Sequence, residues 1–291
     1  MKIDIRNVQQ TFGETTALDN LSFQLEGTKI IGLLGRNGSG KSTLLNIVAA
    51  FRKPTSGEVL IDGEPVFENE SAMQRIALIR ETGDTVEDSE KVSEALRFAE
   101  YLRPSWNGDR ALELLEKFEI SPESKINQLS RGRRSGLGIS LGLAANADLT
   151  MLDETYLGLD APSRYVFYDE LLQEFMERPR MFIISSHLIE EVAKVLEEIV
   201  IIDHGKLLMH DTHEALSTRG AAVTGHEDDV NAFVQGREVI GSRQLGRTKS
   251  AMIYGDINGD FRAQALSANL DIEALGIQDL FIHLTSTKGG A

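Results

Sequence analysis

Short, nearly all-apolar runs punctuate the chain between Lys29 and His204, and amphipathic stretches fill the gaps between them. KIIGLLG (29–35), LTMLD (149–153), MFIISS (181–186) and EIVIID (198–203) lack the in-out alternation of a half-exposed strand. They read as strands covered on both faces, as in a parallel sheet. APSRYVFYDELLQEFMER (161–178) instead spaces its apolar residues three and four apart, as a helix does. Strand and helix in alternation predict an α/β fold.

Two regions depart from that rhythm. The first 30 residues and GEVLIDGEPVF (57–67) pattern as antiparallel strands, with Asp62-Gly63 as a hairpin turn. Residues from about 84 to 148 read as a helical insert, through VSEALRFAEYL, DRALELLEKFEI and the helix that follows Ser130. This insert separates a strand ending near Arg80 from LTMLDE. Beyond Gly220 the pattern weakens into a small α+β appendage, with strands at GREVIGSRQLG and SAMIYGDI. The expected division is therefore residues 1–218 and 219–291.

Composition narrows the function. No window holds the roughly 18 uninterrupted apolar residues of a membrane helix, and MKIDIRNVQQTFGETT lacks the apolar stretch of a signal peptide. A net charge of −15 disfavours broad nucleic-acid binding, and the one dense basic cluster (Arg131, Arg133, Arg134) is too short for a nucleic-acid track. The chain has no cysteine, which excludes disulfides and thiolate metal sites and fits a cytoplasmic protein.

The candidate chemistry begins at GRNGSGKST, Gly35 to Thr43. In such a loop, glycines let backbone N–H groups converge on phosphate oxygens at the N-terminus of a helix. Gly35, Arg36, Asn37, Gly38, Ser39 and Gly40 form the cradle. Lys41, expected on an exposed loop, reaches the β- and γ-phosphates; Ser42 ligates Mg²⁺, and Thr43 caps phosphate from the next turn. The strand before it and the helical STLLNIVAAF after it are the right context, against the alternative of a glycine-rich turn without a ligand. LTMLDE then places Asp153 at the carboxyl edge of a sheet, in the Mg²⁺ shell, with Glu154 next to it to polarise an attacking water.

Four further segments, in order, carry a family resemblance. QLSRGRRS (128–135) is similar to the LSGGQ signature of ABC ATPases, with Ser130 and Gly132 retained. ETYLGLD (154–160) resembles the D-loop stretch of that family, with Asp160 in place, and SSH (185–187) resembles its switch histidine. TFGETTALDNLSF (11–23) resembles the family's opening, where an aromatic, here Phe12, stacks on adenine. The resemblance spans about residues 2 to 218. It implies a P-loop NTPase core with an antiparallel β subdomain and a helical subdomain, binding ATP and Mg²⁺. It also implies that two cassettes clamp two ATP molecules head to tail. Ser130 and Gly132 then act on the partner's ATP, and His187 contacts the γ-phosphate. The plainer readings make Ser130 a helix N-cap, His187 a strand-end residue with a local hydrogen bond, and Phe12 part of the core. The chain departs from the family at Arg131 and Arg133, where Gly and Gln are common. It departs again at Glu81, a candidate metal ligand where the family has Gln.

With one cassette and no membrane segment, the resemblance implies a transporter motor whose permease is a separate chain. The second cassette is then another copy or a different ATPase, and membrane association, at the inner face, runs only through the permease. The tail LGIQDLFIHLTS (275–286) resembles the ending of cassettes on exporter-type (ABC-2) permeases. The alternative is a soluble, non-transport ABC ATPase of the cluster-assembly type. A P-loop kinase or GTPase has no use for LSRGR or the histidine.

Overall fold

The computed structural model describes residues 1–80 and 90–286. In chain order the elements are β1 (Lys2–Phe12), β2 (Thr15–Glu26), β3 (Ile30–Leu34), α1 (Lys41–Val48), β4 (Ser56–Ile61), β5 (Glu64–Pro65), α2 (Glu70–Gln74) and β6 (Ile76–Arg80). Then come α3 (Val92–Leu102), α4 (Gly108–Lys117), α5 (Arg131–Ala144), β7 (Leu149–Asp153), α6 (Ala161–Glu177) and β8 (Met181–Ser186). The remainder is α7 (Ile189–Val192), β9 (Glu198–Asp203), β10 (Lys206–Thr212), α8 (His213–Arg219), β11 (Gly220–His226), α9 (Glu227–Val234), β12 (Val239–Leu245), β13 (Thr248–Tyr254), α10 (Gly259–Ser267), β14 (Asp271–Ala274) and α11 (Ile277–Ser286). The chain divides into two compact units, Met1–His187 with Ile202–Leu207, and Leu188–Ile201 with the residues from Leu208 on.

In the first unit, β3, β8, β7 and β6 pair in parallel in that spatial order. Their register aligns Leu34 with Ser186, Asp153 with Ser185, and Arg80 with Asp153. Three chemically distinct side chains therefore share one carboxyl edge, beside the loop that leaves β3. A separate antiparallel sheet, β2-β1-β4-β5, turns at Asp62-Gly63 as the hairpin pattern predicts. The helical insert is α3, α4 and α5, and α5 packs on both α4 and β6.

Charge, as well as apolar burial, ties α4 to α6. Glu170 and Glu174 sit one helical turn apart on α6 and are buried. Arg110 donates from Nη2 to Glu170 and from Nε to Glu174, both at 2.7 Å. Lys117 Nζ reaches Glu170 at 2.6 Å, and Arg180 reaches Glu174 at 3.0 Å. Two carboxylates in a dry interior hold only while their cations remain. Arg110→Ala is expected to destabilise this unit by about 3 kcal/mol, which lowers its melting temperature by roughly 5–10 °C. Differential scanning calorimetry checks this, and an unchanged midpoint would show that Lys117 and Arg180 suffice.

The second unit contains an antiparallel sheet in the order β12-β13-β11-β14, with α9 between β11 and β12 and α10 between β13 and β14. That βαββαβ connection is the split, ferredoxin-like arrangement. Ala221 and Val223 of β11 and Ala251 and Ile253 of β13 alternate onto one face. There they meet Val230 and Phe233 of α9 and Phe261 and Ala265 of α10. Phe233 and Phe261 pack edge to face, their centroids 5.2 Å apart, and this joins the two helices. Among the described residues no helix is long and apolar enough to cross a membrane.

Candidate functional site

The loop from Gly35 to Gly40 is shaped by contacts that exclude side chains. Gly40 has φ 106°, and a Cβ there would meet the Ala17 carbonyl at 2.6 Å and Leu18 at 2.7 Å. A Cβ on Gly35 would strike Ser39 and the Ile202 carbonyl. Gly205 N–H donates to the Ser39 carbonyl at 2.9 Å and holds the loop from behind. The Ser39 hydroxyl is buried with no hydrogen-bond partner among the described residues. Such an orphan is costly unless a ligand satisfies it. Arg36, Asn37 and Gly38 are exposed, and Ser42 and Thr43 follow at the start of α1.

Lys41 corrects the expectation of an exposed lysine. It is 5% exposed, because its long stem tucks under the loop. Its Nζ donates to the Gly35 carbonyl at 2.9 Å and the Arg36 carbonyl at 3.2 Å, and pairs with Glu154 Oε1 at 3.2 Å. His187 Nδ1 lies 3.2 Å from the same carboxylate oxygen. Lys41, Glu154 and His187, predicted separately from three segments, thus meet at one atom.

Glu154 reaches that point through a left-handed backbone, φ 53°, which turns the chain sharply after β7. A non-glycine residue there is strained, and such strain collects at functional sites. Two hydrogen bonds hold the turn. Glu154 N–H donates to the Ser185 hydroxyl at 3.1 Å, and that hydroxyl donates to Asp153 Oδ1 at 2.5 Å. The sequence reading missed Ser185. Once β7 and β8 are taken as parallel neighbours, register alone puts it opposite Asp153.

Asp153 is buried at the floor of a cleft of about 400 Å³ lined by Phe12, Ser42, Thr43, Asn46, Phe51, Arg52, Arg80 and Asp153 itself. Phe12 is 43% exposed, so it is not a core residue; the Arg52 guanidinium sits 4.7 Å from its ring centroid. Ser42 and Asp153 offer hard oxygen ligands in one cleft, a donor set that fits Mg²⁺ when most of its shell comes from phosphate and water. Glu81 lies outside the described residues.

The signature residues stand apart from this cleft. Ser130 caps α5 by accepting a hydrogen bond from Arg133 N–H at 3.3 Å, and it is exposed. Gly132 passes close to the Gly158 carbonyl, where a Cβ would sit 3.1 Å away. Asp160 caps α6 through Ser163 N–H at 2.9 Å. The hydroxyl and N–H of Ser163 hold the Asp160 carboxyl below the usual range. Ser130 is therefore the N-cap of α5, and it is exposed at the start of that helix.

Comparison with known proteins agrees with this arrangement. Residues 18–156 match the family described as ABC transporter. The chain is similar to the Nod factor export ATP-binding protein I of Burkholderia orbicola, 28% identical over 254 residues, covering 82% of this chain and 83% of that protein. It is similar also to the doxorubicin resistance ATP-binding protein DrrA of Mycobacterium tuberculosis, 29% identical, covering 75% of this chain and 68% of that one. An ATP-binding subunit of an ABC transporter shares its fold at a TM-score of 0.67 and 19% identity, over 74% of this chain and 92% of that one. The dimeric structure of a bacterial ABC transporter cassette matches at a TM-score of 0.64 and 25% identity, over 72% of this chain and 98% of that one. Residues 18–156 thus carry an ABC transporter domain, and the chain is similar to ATP-binding proteins named for export.

Proposed function

We propose that this chain is the ATP-binding and ATP-hydrolysing subunit of an exporter-type ABC transporter. Residues 1–218 form the cassette and 219–291 an appendage. One observation carries the reading: Lys41 Nζ and His187 Nδ1 both lie 3.2 Å from Glu154 Oε1, at the carboxyl edge beside the phosphate loop.

In this reading the triphosphate lies along the backbone N–H groups of Gly35 to Thr43 at the N-terminus of α1, where the helix dipole favours an anion. An arriving γ-phosphate competes with Glu154 for Lys41. Once Lys41 turns to phosphate, the Glu154 carboxylate is released to accept a proton from an attacking water. His187 keeps hold of Glu154 or of the phosphate and so senses which is present. Ser42 and Asp153 would hold Mg²⁺, which neutralises charge on the phosphates when bound. The Phe12 ring offers adenine a face after Arg52 moves aside, and stacking tolerates any base. Ser130 and Gly132, at the exposed start of α5, and Asp160 would complete the site of a second cassette, whether an identical copy or a different ATPase.

The relatives named for Nod factor export and doxorubicin resistance support export over the soluble, cluster-assembly alternative. A separate transmembrane permease would anchor the cassette at the inner face of the cell membrane. Affinity purification of the tagged chain from detergent-solubilised membranes tests this part. A multi-span membrane protein should be retained in stoichiometric amount; a soluble partner alone would contradict the transport reading.

A further inference from the structure

The cleft contains a cation that the residues assigned above do not use. Arg80 ends β6, in register with Asp153 on the adjacent strand. It lines the same cleft as Ser42, Thr43 and Asp153. Family resemblance gives it no role. Its guanidinium is nevertheless held in place: Nη2 donates to Asn46 Oδ1, and the plane lies 5.0 Å from the Phe51 ring centroid. Phe51 is itself 59% exposed, so this stacking lies at the mouth of the cleft that both residues line. Asn46 in turn donates from Nδ2 to the Ser42 carbonyl at 2.6 Å. A continuous chain of hydrogen bonds therefore runs from Arg80 to the first turn of α1.

Arg80 Nε is buried and has no hydrogen-bond partner among the described residues. The carboxylate opposite it in register, Asp153, is engaged by the Ser185 hydroxyl. A guanidinium fixed on two sides and lining a phosphate-loop cleft matches the planar recognition of a phosphate group.

We infer that Arg80 contacts the terminal phosphate of the bound nucleotide from within the same chain, as a second cation beside Lys41. The inference rests on the ATP site proposed above. It makes Arg80 a residue that distinguishes a triphosphate from a diphosphate, because it offsets the charge of the terminal phosphate. A merely structural arginine, holding Asn46 in place, would support both nucleotides equally.

Isothermal titration calorimetry with Mg²⁺-AMP-PNP and Mg²⁺-ADP separates the two. Arg80→Gln keeps a donor for Asn46 and removes the charge. It should weaken AMP-PNP about tenfold while ADP changes less than about twofold, the scale of one lost charge-assisted hydrogen bond. Arg80→Lys, which keeps the charge without the planar fork, should recover part of that loss and serves as the second variant if the glutamine protein folds poorly. Equal weakening of both nucleotides, or no weakening of either, would overturn the inference. A wild-type chain that bound neither nucleotide would instead overturn the ATP site beneath it.

Discussion

Lys41→Ala should lower nucleotide affinity by roughly two orders of magnitude, the scale of losing one or two hydrogen bonds from a charged donor to phosphate. Burial of Lys41 adds a cost that an exposed lysine would not carry. Its removal leaves the Gly35 and Arg36 carbonyls and the Glu154 carboxylate without their donor. Some loss of stability, about 1–3 kcal/mol, should therefore accompany the loss of binding. A fluorescent ATP analogue reads the affinity and a thermal melt reads the stability. Wild-type affinity in a folded Lys41→Ala protein would mean that nucleotide binds elsewhere.

Glu154→Gln should lower hydrolysis by about 100-fold or more, the range expected on losing a general base. The change preserves volume and keeps an oxygen to face Lys41 and His187, so the left-handed turn at residue 154 should survive. ATP affinity should not fall with it. The variant removes a competitor for Lys41, and binding should be equal to or tighter than wild type. A rate within a few-fold of wild type would remove Glu154 from the chemistry.

The parallel strands were legible because each is a short apolar run with no exposed face to disguise it. The phosphate loop was legible because glycines, lysine and serine at fixed spacing have few other uses. The appendage was legible only in part. Its strands β12 and β13 were read, but β11 (GAAVTGH) is built of small residues with little apolar contrast, and β14 has four residues, two of them acidic. Ser185 escaped because its role comes from the neighbour that register gives it. Lys41 was placed on the surface by its type, whereas the loop wraps over its stem. Arg80 stood out in sequence only as a strand end, and its cleft becomes visible once α1, β6 and β7 are assembled.

Whether two cassettes close on two ATP molecules is decided by the behaviour of the Glu154→Gln protein. Slow hydrolysis should keep ATP at the shared interface, and the loss of a carboxylate should ease the approach of Ser130 from the opposing copy. Size-exclusion chromatography with light scattering should find Glu154→Gln with Mg²⁺-ATP as a dimer and without nucleotide as a monomer. Adding Ser130→Arg should return it to a monomer, because the exposed end of α5 would press bulk against the other copy's γ-phosphate. A Glu154→Gln protein that binds ATP and stays monomeric would contradict a head-to-tail dimer formed by this chain alone.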